Sequence, residues 1–200
     1  LTHALEVTNA SHVIVGEECA ERFAQTEGLN TALSYWHWPD EVRPAAAGVL
    51  QQFGSDLQAL AMSRDGTAVP LEWREGVVAG DTAQYIFTSG TTGLPKAAVI
   101  SHARWLMAGD SMQLLWEITR DDCFYCFLPL YHGAASMSLT ATAMAAGARI
   151  VVRRKFSRSE FWSDIRAHGI TFCQYVGEIC RFLLSAPATD SDREHSLRKM

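Results

Sequence analysis

The sequence predicts an α/β fold with mostly parallel sheets flanked by helices. Three observations predict it. Short apolar runs of strand length alternate with segments of helical period along most of the chain. No internal repeat recurs at a solenoid period. With 200 residues and 48% hydrophobic content, the chain can also bury a core of the size such a fold needs.

Leu1, Ala4, Leu5 and Thr8 share one helical face, and His12 to Val15 reads as a buried strand closed by Gly16. Residues 31–36 form a plausible second strand, although the aromatic run Tyr35-Trp36-His37-Trp38 blurs the alternation. From Pro39 to Gly80 the pattern is broken by Pro44, Gly48, Gly54, Gly66, Pro70 and Gly76, which predicts surface loops with one short helix near 53–62. Beyond it the register sharpens. Trp105, Ala108, Met112, Leu115 and Trp116 recur at helical spacing, predicting an amphipathic helix over 102–118. Strands are expected at 123–128, 148–152 and 170–176, and helices at 134–146 and 178–184. Ser157-Arg158-Ser159-Glu160 has the form of a capping box, with Phe161 and Ile165 facing the core and Gly169 ending that helix. Gly177 reads as a turn. The chain divides into a partial α/β subdomain with connecting loops over 1–80 and a second α/β subdomain over 81–200.

One stretch concentrates the polar chemistry. Tyr85-Ile86-Phe87 leads into Thr88-Ser89-Gly90-Thr91-Thr92-Gly93-Leu94-Pro95-Lys96, and the apolar run Ala97 to Ile100 follows at once. The pattern is strand, loop, strand. Gly90 and Gly93 let backbone approach a ligand closely, four hydroxyl residues supply donors, and Lys96 supplies a mobile point charge. Such a donor set suits phosphate oxygens. Pro95 and Ala97 stand where a Walker A loop needs glycine and a hydroxyl residue. Ser89 lacks the glycine two positions earlier that a nucleophile elbow requires. An ordinary Gly/Thr-rich hairpin needs far fewer fixed residues. In parallel α/β sheets ligands bind at the carboxyl ends of strands. That rule directs attention to Leu128-Pro129-Leu130-Tyr131-His132 and Gln174-Tyr175-Val176-Gly177-Glu178. On position alone, His132 reads equally as a core histidine, and Glu178 as a first-turn carboxylate favoured by the helix dipole.

Composition excludes several classes. A net charge of −5 argues against a nucleic-acid binder, whose footprint would be basic. Arg153, Arg154, Lys155 and Arg158 form the one basic cluster, read as a solvated loop with contact to an anionic membrane surface as the alternative. Five scattered cysteines with no secretory signal favour a reducing compartment and a cytoplasmic location. Cys123 and Cys126 have a CxxC spacing, but residues three apart on a strand face opposite sides, so they read as structural and no metal site is expected. Cys123 to Ala148 carries no charged side chain, yet Pro129, His132, Gly133 and repeated Ser/Thr favour a buried strand, loop and helix over a membrane span.

The run from Thr88 to Lys96 resembles the phosphate loop of the adenylate-forming superfamily, which contains acyl-CoA synthetases, luciferases and peptide-synthetase adenylation domains. Three further segments narrow the likeness: Leu128 to His132, Arg154 to Ser157 with Phe161-Trp162, and Gln174 to Leu184. Together they are similar to the fatty acid transport protein, or very-long-chain acyl-CoA synthetase, branch. The likeness is strong from Tyr85 to about Leu184 and weak over the first forty or so residues. It implies part of the large N-terminal domain of an adenylate-forming enzyme.

The resemblance implies an ATP-dependent fatty acid:CoA ligase with Mg2+, ATP and coenzyme A, and coupling to fatty acid uptake as a further expectation. Thr88, Ser89, Gly90, Thr91, Thr92, Gly93 and Lys96 would bind the nucleotide phosphates, with Lys96 and Thr88 acting in catalysis. Tyr131, His132, Tyr175 and Gly177 would line the substrate side. Partners would be small molecules and a membrane surface contacted peripherally, with no nucleic acid. A ligase for a shorter, aryl or carnitine-like acid, and a non-catalytic nucleotide- or lipid-binding homologue, remain as alternatives. The superfamily's Tyr-Gly-x-Thr-Glu and Thr-Gly-Asp motifs and its C-terminal lysine do not occur here. They are expected downstream of Met200, so the chain reads as a fragment that is inactive alone.

Overall fold

The computed structural model describes residues 1–88 and 93–200. The chain forms two compact units: 1–77 together with 93–97, and Val78–Thr88 together with Ala98–Met200.

In the first unit, β1 (His12–Gly16), β2 (Ser34–Trp38) and β3 (Ser55–Asp56) make a parallel sheet in that order. Val13 and Val15 enter the core with Ala20, Leu50 and Phe53, while Ile14 between them is 59% exposed. That is the two-residue period of a strand with one covered face. The second strand lies later than 31–36 because pairing of His12 with Ser34 through Gly16 with Trp38 sets its register. Helix α1 (Thr2–Thr8) lays Leu5 against this core and ends at Asn9 in the left-handed conformation. Helix α2 (Ala20–Ala24) contributes Ala20, and α3 (Leu57–Met62) is capped by the Asp56 side chain, which accepts from Ala59 N at 2.8 Å. The irregular stretch after β2 is anchored by Glu17, whose carboxylate accepts from Asp40 N at 2.6 Å and Ala45 N at 3.0 Å.

The second unit begins with β4 (Thr82–Thr88), which pairs with β5 (Lys96–Ser101) in a two-stranded sheet. Lys96 and Ala97, at the start of β5, group with the first unit. Helix α4 (His102–Trp116) follows, its N-terminus capped by Ser101 Oγ, which accepts from Arg104 N at 3.2 Å. Then come β6 (Cys123–Cys126), α5 (Thr142–Ala146), β7 (Arg149–Val152), α6 (Phe161–His168), β8 (Phe172–Cys173) and α7 (Gly177–Leu184). The sheet order is β7-β6-β8, all parallel. Strand β6 is buried on both faces, as the middle of a parallel sheet requires. Cys123 and Tyr125 join Phe161, Ile165, Ile170 and Cys173 on one side; Phe124 and Cys126 join Leu139, Ala143 and Phe172 on the other.

The fold departs from the sequence pattern in instructive places. The helix expected over 134–146 opens as a π-helical segment, Ala134–Ala141, before tightening into α5. Thr140 Oγ1 donates to Ala135 O, five residues back, at 2.8 Å. Helix α4 stops at Trp116 because Glu117 turns left-handed and Ile118 N bonds back to Gln113 O, tucking Ile118 into the core. Its apolar stripe is incomplete, since Leu115 is 71% exposed. No capping box forms at Ser157. That hydroxyl meets Ser159 Oγ instead, Glu160 takes the N-cap position without a side-chain bond, and α6 starts at Phe161. The strands expected over 123–128 and 170–176 shorten to β6 and β8, because parallel partners pair only those residues. Gly177 is the first residue of α7 rather than a turn.

Helix α4 meets the π-helical segment at Gly109, where a Cβ would lie 2.6 Å from Ala141 O. Backbone cannot yield as a side-chain tip can, so Gly109→Ala is expected to cost about 1–3 kcal/mol by overpacking. Chemical denaturation should show a lower midpoint at an unchanged slope; an unchanged midpoint would mean that the helices do not touch there.

Candidate functional site

The candidate site is built at the carboxyl edge of a parallel sheet. Strands β6, β7 and β8 run the same way, so the segments after Cys126, Val152 and Cys173 leave at one edge. The first carries Tyr131 and His132, the second Arg153, and the third Tyr175 and Gly177.

Tyr131 is 73% exposed, and its ring lies 4.6 Å from that of His132. His132 is itself exposed, so it is not a core histidine. Its backbone closes a tight turn, with His132 N donating to Pro129 O at 3.0 Å. Its carbonyl accepts from Ala135 N at 3.0 Å and Ser136 N at 2.9 Å, which launches the π-helical segment. Strand β4 packs against that same start. Gln84 Nε2 donates to Ser136 Oγ at 3.2 Å, and a Cβ on Gly133 would sit 3.5 Å from Ile86 Cδ1. The strand that ends in Thr88 is thereby held beside the turn that carries His132. Sequence reading missed Gln84 and Ser136, whose only signal is being polar among apolar neighbours.

Of the predicted phosphate-binding residues, Thr88 ends β4, Gly93 precedes Pro95, and Lys96 opens β5. Ser89, Gly90, Thr91 and Thr92 lie outside the described residues. Gly93 has φ +151 and, among the described residues, nothing within 4 Å of where a Cβ would stand, an open backbone that a ligand could approach. The carbonyl of Pro95 pairs with His3 Nε2 of α1 at 3.0 Å, a second contact the sequence did not announce.

Tyr175, 38% exposed, and Gly177 border a cavity of about 800 Å³ together with Trp116, Phe172, Gln174 and Lys199. Tyr131 and His132 do not line it. Glu178 sits in the first turn of α7, paired at the surface with Arg181 Nη2 at 2.7 Å.

Two buried carboxylates brace this sheet, Asp164 beside its carboxyl edge and Asp122 at its amino edge. Asp164 receives Arg153 Nε at 2.7 Å and Nη2 at 2.6 Å, and also the Tyr125 hydroxyl. The Arg153 guanidinium holds the Asp164 carboxyl below its ordinary range, against the opposing effect of burial; the Tyr125 hydrogen bond adds to it. Burial, and then that hydrogen bond, push the Tyr125 phenol up. Arg153 is therefore a structural partner of α6 and not part of a free basic loop. Asp122 accepts from Thr171 Oγ1 at 2.6 Å, Thr119 N at 2.9 Å and the Arg198 guanidinium. Burial alone would raise its carboxyl, yet these donors together bring it below the usual range.

Among the described residues no cluster of three His, Cys, Asp or Glu side chains could hold a metal, and no helix is long and apolar enough to cross a membrane.

The model of a family described as AMP-binding enzyme matches residues 1–200. Long-chain fatty acid transport protein 3 of Homo sapiens is 35% identical over 198 residues, covering 99% of this chain and 28% of that protein. The medium/long-chain-fatty-acid–CoA ligase FadD6 of Mycobacterium tuberculosis is 44% identical over 127 residues, 61% of this chain and 21% of its own length. The chain spans between a fifth and a third of the length of these relatives. Among solved structures, the N-terminal domain of FACL13 from Mycobacterium tuberculosis superposes with a TM-score of 0.64 at 20% identity, over 93% of this chain and 42% of that one. At that identity the likeness shows the fold.

Proposed function

The chain belongs to the AMP-binding enzyme family, in the branch of the long-chain fatty acid transport proteins, and from that premise we propose that it supplies the phosphate-gripping and acyl-side portion of an ATP-dependent fatty acid:CoA ligase. The observation that carries the proposal is the run from Thr88 to Lys96, set between β4 and β5 in a chain whose relatives are named for long-chain fatty acids.

In this reading a fatty carboxylate oxygen bonds to the α-phosphorus of ATP while the bond to the β-phosphate oxygen breaks. An acyl-adenylate forms and pyrophosphate leaves. The thiol of coenzyme A, giving up its proton, then attacks the acyl carbon, and AMP departs. The first step brings two anions together, so it needs fixed donors and positive charge at the phosphates. The Thr88 hydroxyl and the Lys96 ammonium supply these, with Ser89, Gly90, Thr91, Thr92 and Gly93 completing the cradle. No general base is required, because a carboxylate is already ionised near neutrality. Tyr131 and His132 take the acyl and thiol side, and Tyr175 with Gly177 are assigned to the substrate side as well. Solvent-facing Tyr131 and His132 at a strand's carboxyl end, with strand β4 packed beside them, support that assignment.

Acid-dependent exchange of pyrophosphate into ATP by the full-length protein tests the reading, and a panel of acids from short and aryl to very long chain identifies the substrate. Lys96→Ala is expected to reduce exchange by about 10²-fold, the usual loss for one charge-stabilising donor. Exchange at the parental rate would remove Lys96 from the phosphate site.

A further inference from the structure

We infer that His3 is a positioning residue for the phosphate loop, holding the limb that presents Lys96. The inference rests on the phosphate role proposed for Lys96 and adds a residue outside the loop to it.

Three observations converge on it. His3 Nε2 lies 3.0 Å from Pro95 O, across 92 residues of sequence. Pro95 has no N–H, so its carbonyl is the one backbone group through which it can be hydrogen-bonded, and an imidazole N–H is a fitting donor. Second, residues 93–97 group with residues 1–77, while β5, which Lys96 opens, pairs with β4. The limb that ends in Lys96 therefore belongs to the body from which His3 projects. Third, α1 packs on the core of this unit. Leu5 is seated against the core of Val13, Val15 and Phe53, and Thr8 Oγ1 bonds back to Ala4 O at 2.8 Å. Asn9 stops the helix in the left-handed conformation, with Ala10 N reaching Leu5 O at 3.2 Å.

The consequence is directional. Gly93 leaves its own backbone unhindered, so the loop has little intrinsic reason to hold one course at that point. A hydrogen bond to the carbonyl of the residue immediately before Lys96 fixes the peptide plane from which the lysine departs. In the proposed role His3 acts through Lys96 rather than through contact with nucleotide or acid.

The test uses full-length protein and reads pyrophosphate exchange as kcat and KM for ATP separately. His3→Ala is expected to lower kcat/KM for ATP about two- to tenfold, the range of one net hydrogen bond. The melting temperature should stay near the parental value, because His3 is not a core residue. His3→Gln, whose amide N–H can reach the same carbonyl, is expected to restore the loss to within twofold, whereas His3→Phe is not. In the Lys96→Ala background, His3→Ala should add nothing. If Lys96→Ala lowers exchange while His3→Ala leaves both constants unchanged, the positioning role is wrong and the phosphate role stands. If Lys96→Ala has no effect, the phosphate role itself fails. A loss in His3→Ala that Gln does not rescue, or that accompanies a lower melting temperature, overturns the inference in favour of plain packing.

Discussion

Replacing Gly54 with alanine is expected to destabilise the first unit by about 3–5 kcal/mol, combining overpacking with left-handed strain. Gly54 has φ +64, and a Cβ there would stand 1.9 Å from Tyr35 O and 2.8 Å from the carbonyl carbon. Both are backbone atoms of β2. Relief would require β3 to move away from β2, since Ser55, the next residue, pairs with Trp36. Phe53, immediately before it, would be pulled from the core it shares with Phe23, 5.6 Å away edge to face. Gly48→Ala separates the two contributions. Gly48 has φ +82 but nothing within 4 Å of the added carbon, so it bears the backbone strain alone, about 1–2 kcal/mol. Thermal or denaturant melts that rank the two variants equally would show that no close approach exists at Gly54.

Asp122→Ala is expected to cost about 1–3 kcal/mol, the usual loss when buried hydrogen-bond donors are left without their acceptor. Asp122 is 2% exposed and binds three otherwise separate parts of the chain: Thr119 N just before β6, the Thr171 hydroxyl just before β8, and Arg198. Thr171 in turn accepts from Cys123 N at 3.0 Å, so removing the carboxylate loosens the start of the central strand. The charge state gives a second handle. The folded-state pKa of Asp122 is depressed, as is that of Asp164, so each stabilises the fold fully above the unfolded carboxylate value of about 3.9. That contribution is lost as pH falls through the folded value. Stability should therefore be level above about pH 5 and fall steeply below about pH 4, with Asp122→Asn flattening the acid limb. An acid limb of unchanged slope in Asp122→Asn would show that this carboxylate is not the titrating group.

These two sites also mark where sequence reasoning reaches its limit. Strand and helix types are legible because the two-residue and 3.6-residue periods are local, and the parallel order follows from their alternation. The segments at the carboxyl edge, with Tyr131, His132, Tyr175 and Gly177, were singled out by the same local rule. What local pattern cannot carry is partnership across distance. Asp122 meets Thr171 and Arg198 at separations of 49 and 76 residues, and nothing in their neighbourhoods marks them as a set. Arg153 looked like one of four basic loop residues until Asp164 and Tyr125 were brought to it by α6 and β6. The close approach of Gly109 in α4 to Ala141, at the end of the widened turn over Ala134–Ala141, is equally silent in sequence.

The two-sided burial of β6 turns its thiols into a pair of clocks. Cys123 faces one core layer and Cys126 the other, both without exposed surface, and burial raises both thiols above their ordinary range. Neither can react with an alkylating reagent until its own layer lifts, whereas Cys19 lies exposed from the outset. Timed alkylation read by peptide mass should therefore tag Cys19 first. The order in which Cys123 and Cys126 follow then tells which layer, that of α6 or that of the π-helical segment, breathes first in the native protein.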